Sequence, residues 1–373
     1  MTKAFNVALV GLGKMGISHL AIANATPGLK VVAVCDTSNL LGGMVQRFAG
    51  IGHVGRYEDL MMMPDLDGVI IATPTRFHAG MIRQAVNRGL HVFCEKPLTL
   101  DAATSRAIAE QVRDAGLVGQ VGYHNRFVGT FGEAQRLIEG RSLGRLRHMQ
   151  AEAYGPVVLK PAAKTWRSQA TEGGGCLYDY AAHPVNLMNW YAGASTGCAG
   201  AQLTRQWSSD VEDAVYANLH FADDVTGQVS VNWSDESVRK MTTELTLWLD
   251  HGKIVVNRQE IQVFAGSAAT PPAGYRSGWT IRYITELTDH PAFYLRGEEY
   301  SAQMEGFAAA MADPARPYPN DFASGAATDA ALALIRSSAA EAPSVLQVEP
   351  VTVAPMPRPA LRRNLFGRVA RSA

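Results

Sequence analysis

Phe5-Asn6-Val7-Ala8-Leu9-Val10-Gly11-Leu12-Gly13-Lys14-Met15-Gly16 is the stretch that decides the fold, and Asp36 follows it at the end of a second apolar run, Val31-Val32-Ala33-Val34-Cys35. The first run is aliphatic and barely alternates, which suits a parallel strand buried on both faces. Gly11 permits a tight turn, Gly13 lets a pyrophosphate approach the backbone, and Gly16 lets the next helix pack on the strand. That helix opens at Lys14 and Met15, where free N–H groups and the positive end of the dipole face the phosphates. Asp36 is placed to accept hydrogen bonds from ribose hydroxyls. Its charge repels a 2′-phosphate and neither Thr37 nor Ser38 supplies a cation, so NAD is favoured over NADP. A glycine turn in an unrelated α/β protein is the plainer alternative.

The bulk numbers bound the remaining choices. At 373 residues the chain can hold two cores. Lys and Arg total 34 and so do Asp and Glu, a balance that points away from nucleic acid and from anionic membranes. The four cysteines form no Cys-x-x-Cys pair, which fits buried thiols in a reducing compartment. The start runs straight into a strand, and no apolar run nears the ~20 residues of a membrane span. These features lead us to expect a cytoplasmic protein without signal peptide or membrane segment.

Strand and helix signals alternate up to residue 122, predicting a doubly wound parallel sheet. Within it, Leu66–Ala72 ends in the turn Thr73-Pro74-Thr75, His78–Asn87 reads as helix, and His91–Glu95 as strand. Beyond 123 strand-like runs dominate: Gly144–Tyr154, Ala199–Trp207, Ala214–Ala222, Thr226–Trp233, Thr243–Asp250, Lys253–Val256 and Ile261–Phe264. We therefore expect an α+β domain over 123–350 with a large, mostly antiparallel sheet. One face of that sheet is free for a homo-oligomer contact, as a dimer or tetramer. Residues 351–373 read as a basic, Pro/Arg-rich tail. The aromatic and basic segment 274–297 stays open between a pocket cover, an oligomer contact and surface decoration.

Two motifs carry chemistry. Cys94-Glu95-Lys96-Pro97 lies at a strand end, where Lys96 can hydrogen-bond a substrate hydroxyl and lower its pKa as hydride leaves. A surface lysine in a turn is the plainer reading. Gly173-Gly174-Gly175 leads to Asp179 and His183, four residues apart and on one face if helical. Pro184 disfavours helical geometry at His183, so spacing alone does not bring the two together. His183 reads as a general base near neutrality, or as a helix-start histidine behind a capping aspartate.

Taken together and in order, the Gly-x-Gly-x-x-Gly turn, Ala72-Thr73-Pro74-Thr75-x-x-His78, Cys94-Glu95-Lys96-Pro97-Leu98 and the Gly-Gly-Gly…Asp…His segment resemble the Gfo/Idh/MocA family of oxidoreductases. The likeness runs from about residue 4 to 265 and, more weakly, near 326–340. It implies a Rossmann domain and nicotinamide-dependent oxidation or reduction of a carbinol on a sugar or cyclitol. By motif match it implies Lys96, Asp179 and His183 as catalytic, and Thr73, Pro74, His78, Glu95 and Lys96 beside the cofactor. A cis Pro97 is a further expectation from relatives. Tyr123 and Arg126 fall in the element usually written with two arginines, of which Asn125 replaces the first. Asn186 stands where many relatives carry an aspartate. Tyr154, read as lying on a strand edge, with Trp166, Arg167, Arg126, Tyr123 and Asn186, completes the candidate substrate wall.

The mechanism expected on that basis has His183 take the hydroxyl proton, Asp179 stabilise the imidazolium, and Lys96 steady the developing alkoxide. Two other classes compete with a dehydrogenase: a redox-cycling epimerase or glycoside-processing enzyme with tightly held NAD, and a non-catalytic NAD-binding regulator. A metal enzyme is disfavoured, since Asp179 and His183 have no evident third ligand.

Overall fold

The computed structural model describes residues 4–158, 166–291 and 293–341, so the basic tail expected over 351–373 lies outside the described residues. The first half alternates as the hydrophobic pattern requires: β1 (Phe5–Val10), α1 (Lys14–Ala25), β2 (Leu29–Cys35), α2 (Asn39–Ala49), β3 (Gly52–Val54), α3 (Tyr57–Leu60), β4 (Gly68–Ile71), α4 (His78–Asn87), β5 (His91–Cys94), α5 (Ala102–Asp114) and β6 (Gly119–Val121). The strands form one parallel sheet in the order β3-β2-β1-β4-β5-β6. Direction along the sheet reverses between β1 and β4, which opens a crevice at their carboxyl ends. Val7, Ala8, Leu9 and Val10 are all buried, as a strand covered on both faces demands.

The three glycines of the first turn serve different ends. Gly11 has φ 94°, and a Cβ there would lie 2.7 Å from the Ala72 carbonyl oxygen. A Cβ on Gly16 would lie 1.8 Å from the Gly11 oxygen. Both are fixed by the protein's own backbone. Gly13, by contrast, faces open space, with nothing within 4 Å of such a Cβ.

The second half contains α6 (Gly129–Glu139), β7 (Leu146–Tyr154), α7 (Ala182–Ala192), β8 (Gly197–Thr204), β9 (Ala214–His220), β10 (Thr226–Asn232), β11 (Glu244–Leu249), β12 (Gly252–Asn257), β13 (Glu260–Ala265), β14 (Gly278–Tyr283), α8 (Ile284–Leu287), α9 (Glu298–Ala312) and α10 (Phe322–Ala340). Its eight strands run β14-β13-β12-β11-β7-β10-β9-β8, antiparallel throughout except for the pair β7–β10. The sequence reading has no counterpart for β14. Its apolar residues Trp279, Ile281 and Tyr283 are exposed, the reverse of the alternation that marks a half-buried strand.

β7 is an interior strand, which corrects the expectation that Tyr154 lies on an edge. Met149, Ala151 and Ala153 are buried on the side packed by α7, while His148, Gln150, Glu152 and Tyr154 alternate onto the open face. The late helices return to the first sheet. Met304, Phe307 and Met311 of α9 share a core with Val7, Leu9 and Phe93, and α10 packs against α5, α7 and β8.

One buried acid ties α10 to the end of β5. Asp329 Oδ2 accepts the Thr99 N–H at 2.9 Å and the Ser105 hydroxyl at 2.6 Å, while Oδ1 has no partner among the described residues. Burial lifts its pKa from 3.8 to about 7, against the pull of those donors. From about pH 4 to about pH 7 the folded chain thus holds a proton that the unfolded chain has lost, so stability falls as pH rises through that window. The full loss is roughly 4 kcal/mol. Asp329→Asn keeps an oxygen for Thr99 and Ser105 but cannot ionise. Its melting temperature is expected to gain on the parent's as pH climbs to about 8, and parallel melting curves would contradict this.

Candidate active site

The crevice at the end of β1 meets the requirements of a dinucleotide. α1 starts at Gly13 with no capping side chain and no acid in its first turn, so its leading N–H groups and dipole are left for an anion. Ser38 caps α2, Asp101 caps α5 and Asp321 caps α10, whereas α4, α6, α7 and α9 start, like α1, without a side-chain cap. At the end of β2 the Asp36 carboxylate is fixed by two backbone donors, Leu12 N–H at 2.6 Å and Ser38 N–H at 2.7 Å. Each oxygen keeps a lone pair for a ribose diol. Gly13 and Lys14 are exposed there and Met15 partly so.

The end of β5 turns through a cis Lys96–Pro97 peptide, as expected. His78 is 1% exposed and sets both ring nitrogens against backbone carbonyls, Nε2 toward Thr73 and Nδ1 toward Pro97 and Leu98. Its side chain therefore staples the Thr73 loop to the lysine turn instead of lining the cofactor crevice, which corrects that expectation. Glu95 is also engaged internally, with Oε1 on His19 Nε2 at 2.6 Å. Burial alone would raise its pKa, but His19 and Lys96 outweigh it and hold the carboxylate ionised.

Lys96 reaches from the first sheet to the turn before α7. Its ammonium donates to the backbone oxygen and to Oδ1 of Asp179, each at 3.0 Å. Arg167 Nε donates to Asp179 Oδ2 at 2.7 Å, and its guanidinium lies 5.0 Å from the ring of half-exposed Trp166. Burial would raise the Asp179 carboxyl, yet these two cations hold it below the usual range. The glycine triplet serves the same assembly. Gly175 N–H donates to the Arg167 oxygen at 3.0 Å, and a Cβ on Gly174 would lie 2.4 Å from that atom. What Gly174 admits is the chain's own Trp166–Arg167 backbone, while Gly173 lies against Leu100 and Gly175 against the Glu212 carboxylate.

Leu177–Ala181 form a π turn that runs directly into α7, with Ala182 N–H reaching back five residues to the Leu177 oxygen. The widened turn explains how Pro184 is tolerated. Its ring would meet the Tyr180 carbonyl in a regular helix, and π geometry moves that carbonyl aside. His183 follows the turn, 4% exposed, with Nδ1 lacking any partner among the described residues. Burial, with Lys96 and Arg258 alongside, holds its imidazole well below the usual histidine range. The neutral ring is thus the resident form. Asp179 bonds Lys96 and Arg167, and no hydrogen bond joins it to His183 among the described residues, so here it orients Lys96 and not His183, a correction to the expected pairing.

Sequence reading missed a second layer around His183. His124 lies 5.0 Å away, ring to ring, and stacks on Tyr300 at 4.7 Å. Arg258, in the turn between β12 and β13, donates to His124 Nε2 at 3.1 Å and to Asn125 Oδ1 at 3.3 Å, and pairs with Glu299. A guanidinium thus reaches the element whose first arginine is Asn125, supplied from a distant strand turn that no local signal marks. The ring of Tyr123, wholly buried, meets His183 edge-on at 6.0 Å.

Three proposed wall residues are turned elsewhere. Asn186 is 1% exposed, accepts from Arg126 Nε at 2.9 Å and donates to Thr328 Oγ1 at 3.0 Å. Arg126 also donates to the Asn186 carbonyl oxygen and lies 5.4 Å from the Trp190 ring. The two clamp α7 to its neighbours. Tyr154 bonds Ser230 at 2.8 Å on the open sheet face, away from α7.

Comparison with known proteins agrees with this geometry. Residues 5–123 match the family model described as "Oxidoreductase family, NAD-binding Rossmann fold", and residues 131–255 match the Gfo/Idh/MocA C-terminal domain. The chain is 31% identical to the scyllo-inositol 2-dehydrogenase (NAD(+)) of Bacillus subtilis over 50% of its own length and 54% of the relative's. It is 27% identical to the levoglucosan dehydrogenase of Pseudarthrobacter phenanthrenivorans over 74% of its length and 80% of the relative's. Several of these curated relatives are thus matched over about half their length. A solved levoglucosan dehydrogenase in complex with NADH superposes with TM-score 0.81 at 25% identity, covering 91% of this chain and 98% of that one. With both halves matched in order, and with a six-stranded parallel sheet followed by a large mixed one, the chain belongs to the Gfo/Idh/MocA oxidoreductase family.

Proposed function

We propose that this protein is an NAD-dependent oxidoreductase acting on a secondary alcohol of a sugar, cyclitol or sugar derivative. The observation that carries the reading is the meeting of Lys96, from a strand end of the first sheet, with Asp179 of the π turn before His183. When bound, the nicotinamide ring supplies the hydride acceptor. Gly11, Gly13, Lys14, Met15, Gly16, Asp36, Thr73 and Pro74 would hold the dinucleotide, and the uncapped start of α1 supports that assignment.

This chain's residues then handle the proton and the oxygen. An ammonium has three N–H donors, and Asp179 engages two of those on Lys96, leaving the third for a substrate oxygen. As that oxygen gains negative charge, the fixed cation stabilises it without reorganising. Neutral His183 accepts the hydroxyl proton. Trp166 and Arg167 offer a half-exposed wall for the polyol ring. We assign cofactor binding to residues 1–122 and substrate handling to 123–350, with the late helices buttressing both. The test is NADH formation from NAD⁺ with a panel of inositols, aldoses, anhydrosugars and sugar acids; absence of turnover across the panel in both directions would count against the reading.

The open sheet face, where Tyr216, Phe264, Trp279, Ile281 and Tyr283 are exposed, supports a homo-oligomer built through it. Light scattering is expected to give a dimer or tetramer, and Ile281→Glu, which places a charge on that face, to shift the mass towards the monomer. Among the described residues no helix is long and apolar enough to cross a membrane.

A further inference from the structure

The segment leading into α9 carries a cation that nothing so far employs. Arg296 is exposed and holds a left-handed backbone, φ 70°, that non-glycine residues seldom adopt. Its guanidinium rests 5.4 Å from the Tyr300 ring centre, and Nη1 reaches Ser18 Oγ of α1 at 3.5 Å. Tyr300 stacks on His124, and His124 abuts His183. Arg296 therefore stands at the junction of α1 with the layer around the proposed base, held from the side while its fork of donors stays open.

The charges around it argue for an anion. Lys96 and Arg167 share Asp179, Arg258 pairs with Glu299, and Glu95 faces His19. Arg296 has no carboxylate partner among the described residues, and the imidazoles of His124 and His183 are held neutral. Two cations thus share the one carboxylate of Asp179, and Arg296 adds a further positive charge with no carboxylate beside it among the described residues. A planar guanidinium with a free edge suits a carboxylate bidentately. The pyrophosphate of a dinucleotide already has the start of α1, while Ser18 lies in the following turn.

We propose that the alcohol taken by this site carries a carboxylate, as in a uronate or aldonate, and that Arg296 receives it. The inference rests on the oxidoreductase reading and narrows its substrate class. The experiment compares kcat/KM for D-glucuronate with D-glucose, and for D-galacturonate with D-galactose, in the parent and in Arg296→Gln and Arg296→Lys. The acid is expected to be preferred at least about ten-fold in the parent, mostly through KM. The preference should vanish in R296Q and return only partly in R296K, which keeps the charge without the fork. Because each ratio is internal to one protein, a folding defect does not imitate the result.

Equal use of acid and neutral sugar by the parent overturns the proposal. So does a preserved ratio in R296Q with a raised KM for NAD⁺, which would make Arg296 a cofactor clamp, or a preference for glucose 6-phosphate over glucuronate. If no sugar is oxidised the oxidoreductase reading fails by itself. Calorimetry with NADH present then decides: glucuronate binding to the parent but not to R296Q supports the carboxylate site, and equal binding overturns it.

Discussion

Lys96→Met lowers turnover with NAD⁺ by about 10²- to 10⁴-fold, while the dissociation constant for NADH, followed by fluorescence, changes by less than about three-fold. Methionine keeps the length and apolar stem of the side chain and removes the cation that steadies the substrate oxygen. The interaction lost is strongest when that oxygen is negative, so kcat falls more than KM rises. The change also strips Asp179 Oδ1 of its partner. An unmet buried acceptor costs about 1–3 kcal/mol, and melting under the assay conditions separates that loss from the chemical one. Asp179→Asn supplies the control for orientation. It leaves Lys96 in place but frees its ammonium to swing, so it should lose less than K96M, and the double variant no more than K96M alone. Additive losses would mean that Asp179 acts on something other than Lys96. Full activity in K96M would remove the lysine from the reaction.

How much of this was legible beforehand follows from the range of each interaction. The first turn, the carboxylate at the end of β2, and the extents of α4 and most later strands rest on local pattern, and reading residue by residue finds them. His183 and Asp179 were identifiable by type and spacing. Their relation was not, because the helical rule that pairs residues four apart takes no account of a cation arriving from Lys96, 83 residues away. His78 and Asn186 illustrate the opposite error. A polar residue inside a functional motif reads as a ligand contact, yet both spend their polar atoms on the protein itself. Tyr154 was misplaced because strand alternation fixes the face only once the strand's neighbours are known. Arg258 comes from a strand turn and Tyr300 from the first turn of α9, neither marked by local sequence, and Arg296 from the aromatic and basic segment before it; only tertiary folding brings Arg258 and Tyr300 to His124, and Arg296 to Tyr300.

His183→Gln is the second large effect, with NADH formation reduced by about 10²- to 10⁴-fold. Glutamine is close in length, so the buried space between Tyr123 and His124 stays largely filled, but it cannot take a proton near neutrality. The pH dependence distinguishes loss of a base from loss of shape. In the parent, burial and the charges of Lys96 and Arg258 hold the imidazole well below 6.5. Oxidation needs the neutral ring, so kcat/KM should stay level from pH 8 down past about 6.5 and fall only at lower pH. In H183Q that acidic limb should be absent, leaving a low, flat profile. The same displacement acts on stability with a defined sign. Below about 6.5 the unfolded chain binds a proton on this histidine that the folded chain refuses, so the native state loses stability as pH falls, and H183Q is spared that part. An acidic limb at or above 6.5 in the parent, or one that persists in H183Q, would assign the proton transfer to another group.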